Sequence, residues 1–281
     1  MHIETAPAKI NLTLDTLYKR NDGFHEVQMV MTEVDLNDRL TFTKRNDKKI
    51  ILETDHQFIP TDRRNLVYQA AELMYETYDI PSGIHIEIEK NIPVSAGMAG
   101  GSTDAAATFR GLNKIFQIGA SLDELAVLSS QLGSDIPFCV YGGTALATGR
   151  GEKIQHLNKP PNAWLVIAKP PISVSTKVIY KYLEPGKHSP RSPDMVEAIE
   201  NNDYRGMLSC MKNDLQEVTE KKYVKVGVLL SKMQEHGADK AMMSGSGPTV
   251  YGIVQKERQA IKLFNAMRGF CNEVYRVRLR G

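Results

Sequence analysis

The chain has 281 residues, of which 42% are hydrophobic and 24% charged, and a formal net charge of +2. These values are ordinary for a globular protein, and the length suits two domains or one large one. No basic block argues for a nucleic-acid surface, and no apolar run approaches the length needed to span a bilayer.

In chain order, residues 10–14 alternate apolar and polar side chains, the period of a half-buried strand. Asn21-Asp22-Gly23 is a turn signal, and residues 27–40 read as strand until Asn37 and Asp38 break the run. Asn46-Asp47 marks another turn. Residues 65–78 carry Leu66, Ala70, Leu73 and Met74 at helical spacing, which predicts an amphipathic helix. Residues 84–89 alternate strictly and predict a strand. That strand runs into a glycine-rich stretch, 93–104, followed by an alanine-rich helix to about Leu112. Ser121 and Glu124 have capping-box spacing, so a helix starts there and ends near Gly133. Residues 142–153 are glycine-rich with short strand character, and residues 163–168 read as a buried strand. Residues 185–193 are polar and proline-rich, an exposed loop. Two or three helices are expected over 195–236. After them come a glycine-bearing turn at 243–248, a strand at 249–254, a helix at 258–267 and a last strand at 273–279. The polar, proline-bearing stretch between Lys153 and Ala163 marks a domain boundary, dividing the chain into 1–155 and 156–281.

Cys139, Cys210 and Cys271 are odd in number, far apart and not at metal-ligand spacing. They read as reduced thiols, and Met1 to Pro7 carry no secretory pattern, so a cytoplasmic location is expected. The remaining histidines (His2, His56, His85, His156, His188, His236) form no ligand constellation.

The stretch Pro93-Val94-Ser95-Ala96-Gly97-Met98-Ala99-Gly100-Gly101-Ser102-Thr103 carries the strongest chemical signal. Glycines let backbone amides approach an anion, and Ser102 and Thr103 fall at the start of a helix whose free N–H groups favour phosphate. It is neither a Walker loop nor a dinucleotide fingerprint, because the Gly-Lys-Ser/Thr ending and the G-x-G-x-x-G spacing are absent. Taken alone, it reads equally as a tight turn with a capped helix.

Pro93, Gly97, Gly100, Gly101, Ser102, Asp104, Ala105 and Ala106 together resemble the phosphate loop of the GHMP kinase superfamily. Pro7-Ala8-Lys9-Ile10-Asn11-Leu12 resembles that family's first motif, and Met243-Ser244-Gly245-Ser246-Gly247-Pro248 its third. Asp22-Gly23-Phe24-His25, Gly133-Ser134-Asp135-Ile136-Pro137-Phe138 and Gly149-Arg150-Gly151-Glu152 are similar to one branch of the family, which phosphorylates an alcohol carrying a cytidine diphosphate group. The resemblance covers almost the whole chain. It departs at Ala99, where the family loop carries glycine, and at Phe24, where tyrosine is usual.

The resemblance implies an α+β fold in two domains, the N-terminal one like ribosomal protein S5 domain 2 and the C-terminal one ferredoxin-like, with the active site in the cleft between them. It implies ATP along residues 93–103, with Mg2+, and a small-molecule substrate bearing a cytidine diphosphate group. Neither nucleic acid nor membrane is an expected partner, and a monomer or homodimer is expected. Asp135 is implied as the base and Lys9 as the charge that holds it ionised. On local sequence alone Asp135 reads equally as a turn or cap residue, and Lys9 as a solvated strand side chain. Asn11, on the same strand face as Lys9, is a candidate for substrate binding. Phe24, His25 and Tyr180 are implied in the cytosine pocket, and Thr176 in substrate contact. The alternatives are core packing for Phe24 and Tyr180 and a solvated side chain for His25.

Overall fold

A computed structural model describes all 281 residues. The elements are β1 (His2–Lys19), β2 (His25–Lys44), β3 (Ile50–Thr54), α1 (Leu66–Thr77), β4 (Ile84–Glu89), α2 (Gly100–Phe116), α3 (Leu122–Ser129), α4 (Ile136–Tyr141), β5 (Thr144–Thr148), β6 (Lys153–His156) and β7 (Trp164–Lys169). They continue as α5 (Thr176–Lys181), α6 (Ser192–Glu200), α7 (Tyr204–Cys210), β8 (Lys212–Asn213), α8 (Asp214–Lys222), α9 (Val224–Glu235), β9 (Lys240–Met243), β10 (Val250–Val254), α10 (Glu257–Met267) and β11 (Glu273–Arg278). The chain divides into two compact units. The first comprises Met1–Ala8, Leu36–Ile92 and Ala99–Gly142, and the second Lys9–Asp35, Pro93–Met98 and Gly143–Gly281.

In the first unit β4 pairs antiparallel with the C-terminal half of β2 and parallel with β3. Ile84, Ile86 and Ile88 point into the core while the residues between them face out, as the alternation predicts. Helix α1 starts where the Asn65 side chain accepts the Val67 N–H at 2.9 Å, and it buries Val67, Ala70, Ala71 and Met74. Helix α2 lies close on the sheet: a Cβ on Gly111 would come within 2.5 Å of the Phe42 ring. The Ser121–Glu124 capping box is formed at the start of α3.

One expectation fails here, and one helix was not foreseen. Asn37 and Asp38 do not interrupt β2, which runs unbroken from His25 to Lys44. Asp38 is fully buried and accepts the N–H groups of Asn91 (2.6 Å) and Ile92 (2.8 Å), so partners across the fold replace the solvent a turn would offer. Residues 136–141 also form a short helix, α4, that periodicity did not predict; Pro137 sits in its first turn, where the missing N–H costs nothing.

In the second unit β5 pairs with the N-terminal half of β2 and with β6, and β8 pairs parallel with β1 through Thr13 and Leu14. A separate antiparallel sheet has the order β11-β7-β10-β9. In chain order these strands stand fourth, first, third and second, the split arrangement of a ferredoxin-like fold. Helices α9 and α10 pack against it, burying Leu229, Met233, Leu263 and Met267. Four helices, not two or three, lie between residues 192 and 235. No helix is long and apolar enough to cross a membrane.

Candidate active site

In β1, alternation puts Lys9 and Asn11 on one face, and both are buried. The Lys9 ammonium donates to Asn11 Oδ1 at 2.9 Å. The same oxygen accepts the Gly245 N–H at 3.1 Å, and the Asn11 carbonyl accepts the Tyr251 hydroxyl at 2.7 Å. Lys9 is therefore not a solvated strand side chain. Its own backbone N–H is accepted by the Met98 carbonyl at 3.2 Å, which ties β1 to the glycine-rich segment.

That segment turns sharply. Ser95, Gly97 and Ala99 all have positive φ, at 54°, 69° and 59°. A Cβ on Gly97 would lie 2.4 Å from the Ser244 carbonyl oxygen, so only glycine fits there. Ala99 takes the left-handed conformation despite its methyl group and stands at the N-cap of α2 without a side-chain cap. The first N–H groups of α2, which begins at Gly100, have no intrahelical acceptor. Gly101 is exposed and Ser102 half-buried. Thr103 is buried, its hydroxyl without a hydrogen-bond partner.

Residues 243–248 pack behind Gly97. Ser244 Oγ donates to the Gly97 carbonyl at 2.9 Å. Asn213 Nδ2 donates to the carbonyls of Met243 (2.9 Å) and Gly245 (2.8 Å), and Ser246 Oγ shares a 2.8 Å hydrogen bond with Thr176 Oγ1 at the start of α5.

Two of the three expected base-binding residues stand where a turn meets β2, Phe24 in the turn and His25 at the first position of the strand. Phe24 N–H donates to Asp22 Oδ1 at 3.1 Å, and the Phe24 carbonyl accepts the Arg20 N–H at 2.8 Å. The Phe24 ring is half exposed, with the Arg150 guanidinium 5.0 Å over it. His25 lies 5.0 Å from the Tyr180 ring, tilted by 36°. Burial and the neighbouring Lys19 charge hold the His25 imidazole below its usual pKa, so at neutral pH it is neutral and offers one donor and one acceptor.

Asp135 stands at the N-cap of α4, half-buried, and its side chain makes no capping bond. Side-chain capping is thus not its role, while the turn alternative stands, because Asp135 lies in the turn that leads into α4. Within the second unit the fold brings Lys9, Asn11, Gly97, Ser244, Ser246 and Thr176 together through direct bonds or bonded neighbours, and joins His25 to Tyr180. Sequence reasoning gave no role to Arg150 or Asn213. Arg150 stood in the quoted Gly149-Arg150-Gly151-Glu152 motif, but Asn213 carries no sequence signal.

A glycine segment that turns sharply into a helix N-terminus with open amides has the chemistry of an anion site. The chain belongs to the GHMP kinase family: residues 65–143 match the model for the GHMP kinases N terminal domain and residues 195–273 that for the GHMP kinases C terminal. It is 55% identical over 282 residues, covering all of both chains, to a Staphylococcus aureus (strain MRSA252) protein that bears the provisional name 4-diphosphocytidyl-2-C-methyl-D-erythritol kinase. A crystal structure of 4-(cytidine 5'-diphospho)-2C-methyl-D-erythritol kinase superposes with a TM-score of 0.86 at 29% identity, covering 100% of both chains. Homoserine kinase from Cytophaga hutchinsonii shares the fold, with a TM-score of 0.80 at 19% identity over 99% of this chain and 94% of that one.

Proposed function

We infer that this chain is an ATP-dependent kinase that transfers the γ-phosphoryl group of ATP to the 2-hydroxyl of 4-diphosphocytidyl-2-C-methyl-D-erythritol. The products are ADP and the 2-phosphate, a step of the non-mevalonate route to isopentenyl diphosphate. The observation that carries this reading is the 55% identity along the full length of a relative bearing that kinase's name.

In this reading Asp135 accepts the proton of the attacking hydroxyl, and Lys9 stabilises negative charge as the phosphoryl group moves. Residues 93–103 cradle the phosphates of ATP. Asn11 and Thr176 orient the alcohol, while Phe24, His25 and Tyr180 hold the cytosine; the neutral imidazole of His25 suits reading a base edge by hydrogen bonds. Mg2+ would bind mainly through the ATP phosphate oxygens and water, needing few protein ligands. The donors on residues 93–103 are amides and hydroxyls, which fit those phosphates better than a bare cation. The cluster Glu53, His85 and Glu87, whose metal-type donor atoms lie within 4.8 Å of one another, belongs to β3 and β4 and contributes none of these residues.

The family matches fall on either side of the division into 1–155 and 156–281, whereas the two compact units interleave across it, residues 9–35, 93–98 and 143–155 going with the second. The three cysteines are buried free thiols, in keeping with a cytoplasmic enzyme, acting as a monomer or homodimer.

The test is ADP release from magnesium-ATP with 4-diphosphocytidyl-2-C-methyl-D-erythritol, beside mevalonate and homoserine. Turnover with the cytidine substrate alone is expected, falling by about a hundredfold or more in Asp135→Asn. Turnover with another alcohol would overturn the substrate. Nucleotide binding without turnover on any alcohol would overturn the kinase.

A further inference from the structure

The glycine-rich segment is entered from the end of β4 and left through α2, and one buried trio of charges stands at both joints. At the entry Asp38 Oδ1 accepts the N–H groups of Asn91 and Ile92, the two residues before Pro93. Asp38 Oδ2 accepts a bond from the Lys90 ammonium. At the exit the same ammonium donates to Asp104 Oδ2 at 2.6 Å, in the residue following Thr103. The Asp38, Lys90 and Asp104 side chains are 0%, 4% and 5% exposed.

Two carboxylates and one ammonium leave a net negative charge out of water, and an uncompensated buried charge is costly. The hydrogen bonds decide which carboxyl gives way. Asp38 accepts three donors, which leaves neither of its oxygens without a partner. Asp104 accepts one, and its Oδ1 is buried with no partner. The proton therefore belongs on Asp104.

We propose that Asp38, Lys90 and Asp104 form a clamp on both ends of the glycine-rich segment that sets its affinity for nucleotide, with Asp104 a positioning residue that works in its protonated form. The proposal rests on the reading that residues 93–103 bind ATP phosphates. With Asp104 neutral the clamp carries no net charge. With Asp104 ionised it places a negative charge beside the amides that must receive a polyphosphate, and attraction for the ligand falls.

Burial pushes the Asp104 carboxyl up to about 8, the Lys90 ammonium opposing and Asp38 adding to the shift. Burial lowers the Lys90 pKa, but Asp104 and Asp38 more than offset this and hold it above its usual value. The other elements packed on α2 bring different groups. Glu72 of α1 bonds to Arg63, Asp123 and Glu124 of α3 bond to Tyr141 and Ser121, and α4 carries Asp135, Cys139 and Tyr141.

The experiment is calorimetric titration of Mg-ADP at pH 7, 8 and 9 into the wild type and Asp104→Asn, whose amide imitates the neutral acid. If only the protonated clamp binds, wild-type affinity falls about tenfold by pH 9, because about one molecule in ten is then competent. Asp104→Asn is expected to bind with an affinity that stays within about twofold across the range. A variant that weakens in parallel with the wild type overturns the proposal.

Urea unfolding across the same pH range, with no nucleotide, tests the clamp separately from the ATP reading. The folded Asp104 pKa lies above its unfolded value, so the stability it contributes is complete below the unfolded pKa and is lost as pH rises toward about 8. The wild-type unfolding equilibrium is expected to rise relative to Asp104→Asn by about tenfold per pH unit between pH 6 and 8, then level off. Parallel curves overturn the clamp. If Mg-ADP binds at no pH while the curves diverge, the protonated clamp stands, and the ATP reading and the affinity role built on it fall.

Discussion

Residues 243–248 and residues 93–103 both rely on glycine, yet their backbone groups end in different places. In the first, the Ser244 N–H goes to the Thr249 carbonyl at 3.0 Å and the Gly247 N–H to the Ser244 carbonyl at 3.0 Å. Asn11 and Asn213 side chains take up the Gly245 N–H and the Met243 and Gly245 carbonyls. Every residue from Ala241 to Val250 is buried. In the second, Val94, Ser95 and Gly101 are exposed, and the segment ends on a helix whose first amides have no intrahelical acceptor. A turn whose Ser244, Gly245 and Gly247 amides are bonded internally is scaffold, because a ligand would have to break those bonds. A turn that leaves them open can receive an anion.

This contrast can be broken by substitution, most severely where the two segments meet. Gly97→Ala would drive a Cβ to 2.4 Å from the Ser244 carbonyl at a φ of +69°, with backbone on both sides. A loss of about 3 kcal/mol or more is expected in urea unfolding, and a near-wild-type midpoint would show that the segments are not held back to back. Asn213→Ala removes both donors to the buried turn and the acceptor for the Leu215 N–H at 2.9 Å. Its expected loss is about 2–3 kcal/mol, read from the same unfolding curves. A loss under about 1 kcal/mol would mean that the buried turn does not need that amide.

Ser244→Ala deletes a single bond, to the Gly97 carbonyl, and should lower stability by about 1 kcal/mol. No loss at all would unlink the two segments. The smallest effect is expected for Ala99→Gly. The left-handed conformation costs alanine roughly 1 kcal/mol, and glycine's extra chain freedom offsets most of the relief, so stability should stay within about 0.5 kcal/mol of wild type. A melting profile showing a loss beyond about 1 kcal/mol would mean that the Ala99 methyl contributes packing outweighing its backbone strain.

Much of the frame was legible residue by residue. Leu66, Ala70, Leu73 and Met74 at helical spacing predict α1, the strict alternation at 84–89 predicts β4, and Ser121 with Glu124 predicts the start of α3. The glycine segment at 93–103 was legible too, as was the departure at Ala99. Asp38 shows where such reading stops. An Asn-Asp pair carries turn chemistry, yet here it lies inside a strand because Lys90, Asn91 and Ile92 supply its partners.

By itself the sequence determined where α1, β4 and α3 begin, which segment could cradle phosphate, and which family the chain resembles. These follow from periodicity, caps and glycine placement, which act over a few neighbouring residues. Only the tertiary structure decided that His25 meets Tyr180, that Arg150 covers Phe24, that Asn213 holds the 243–248 turn and that two aspartates share the Lys90 ammonium. A buried polar group must find its partner inside the fold, and that partner is set by which distant segments pack together rather than by its neighbours in the chain.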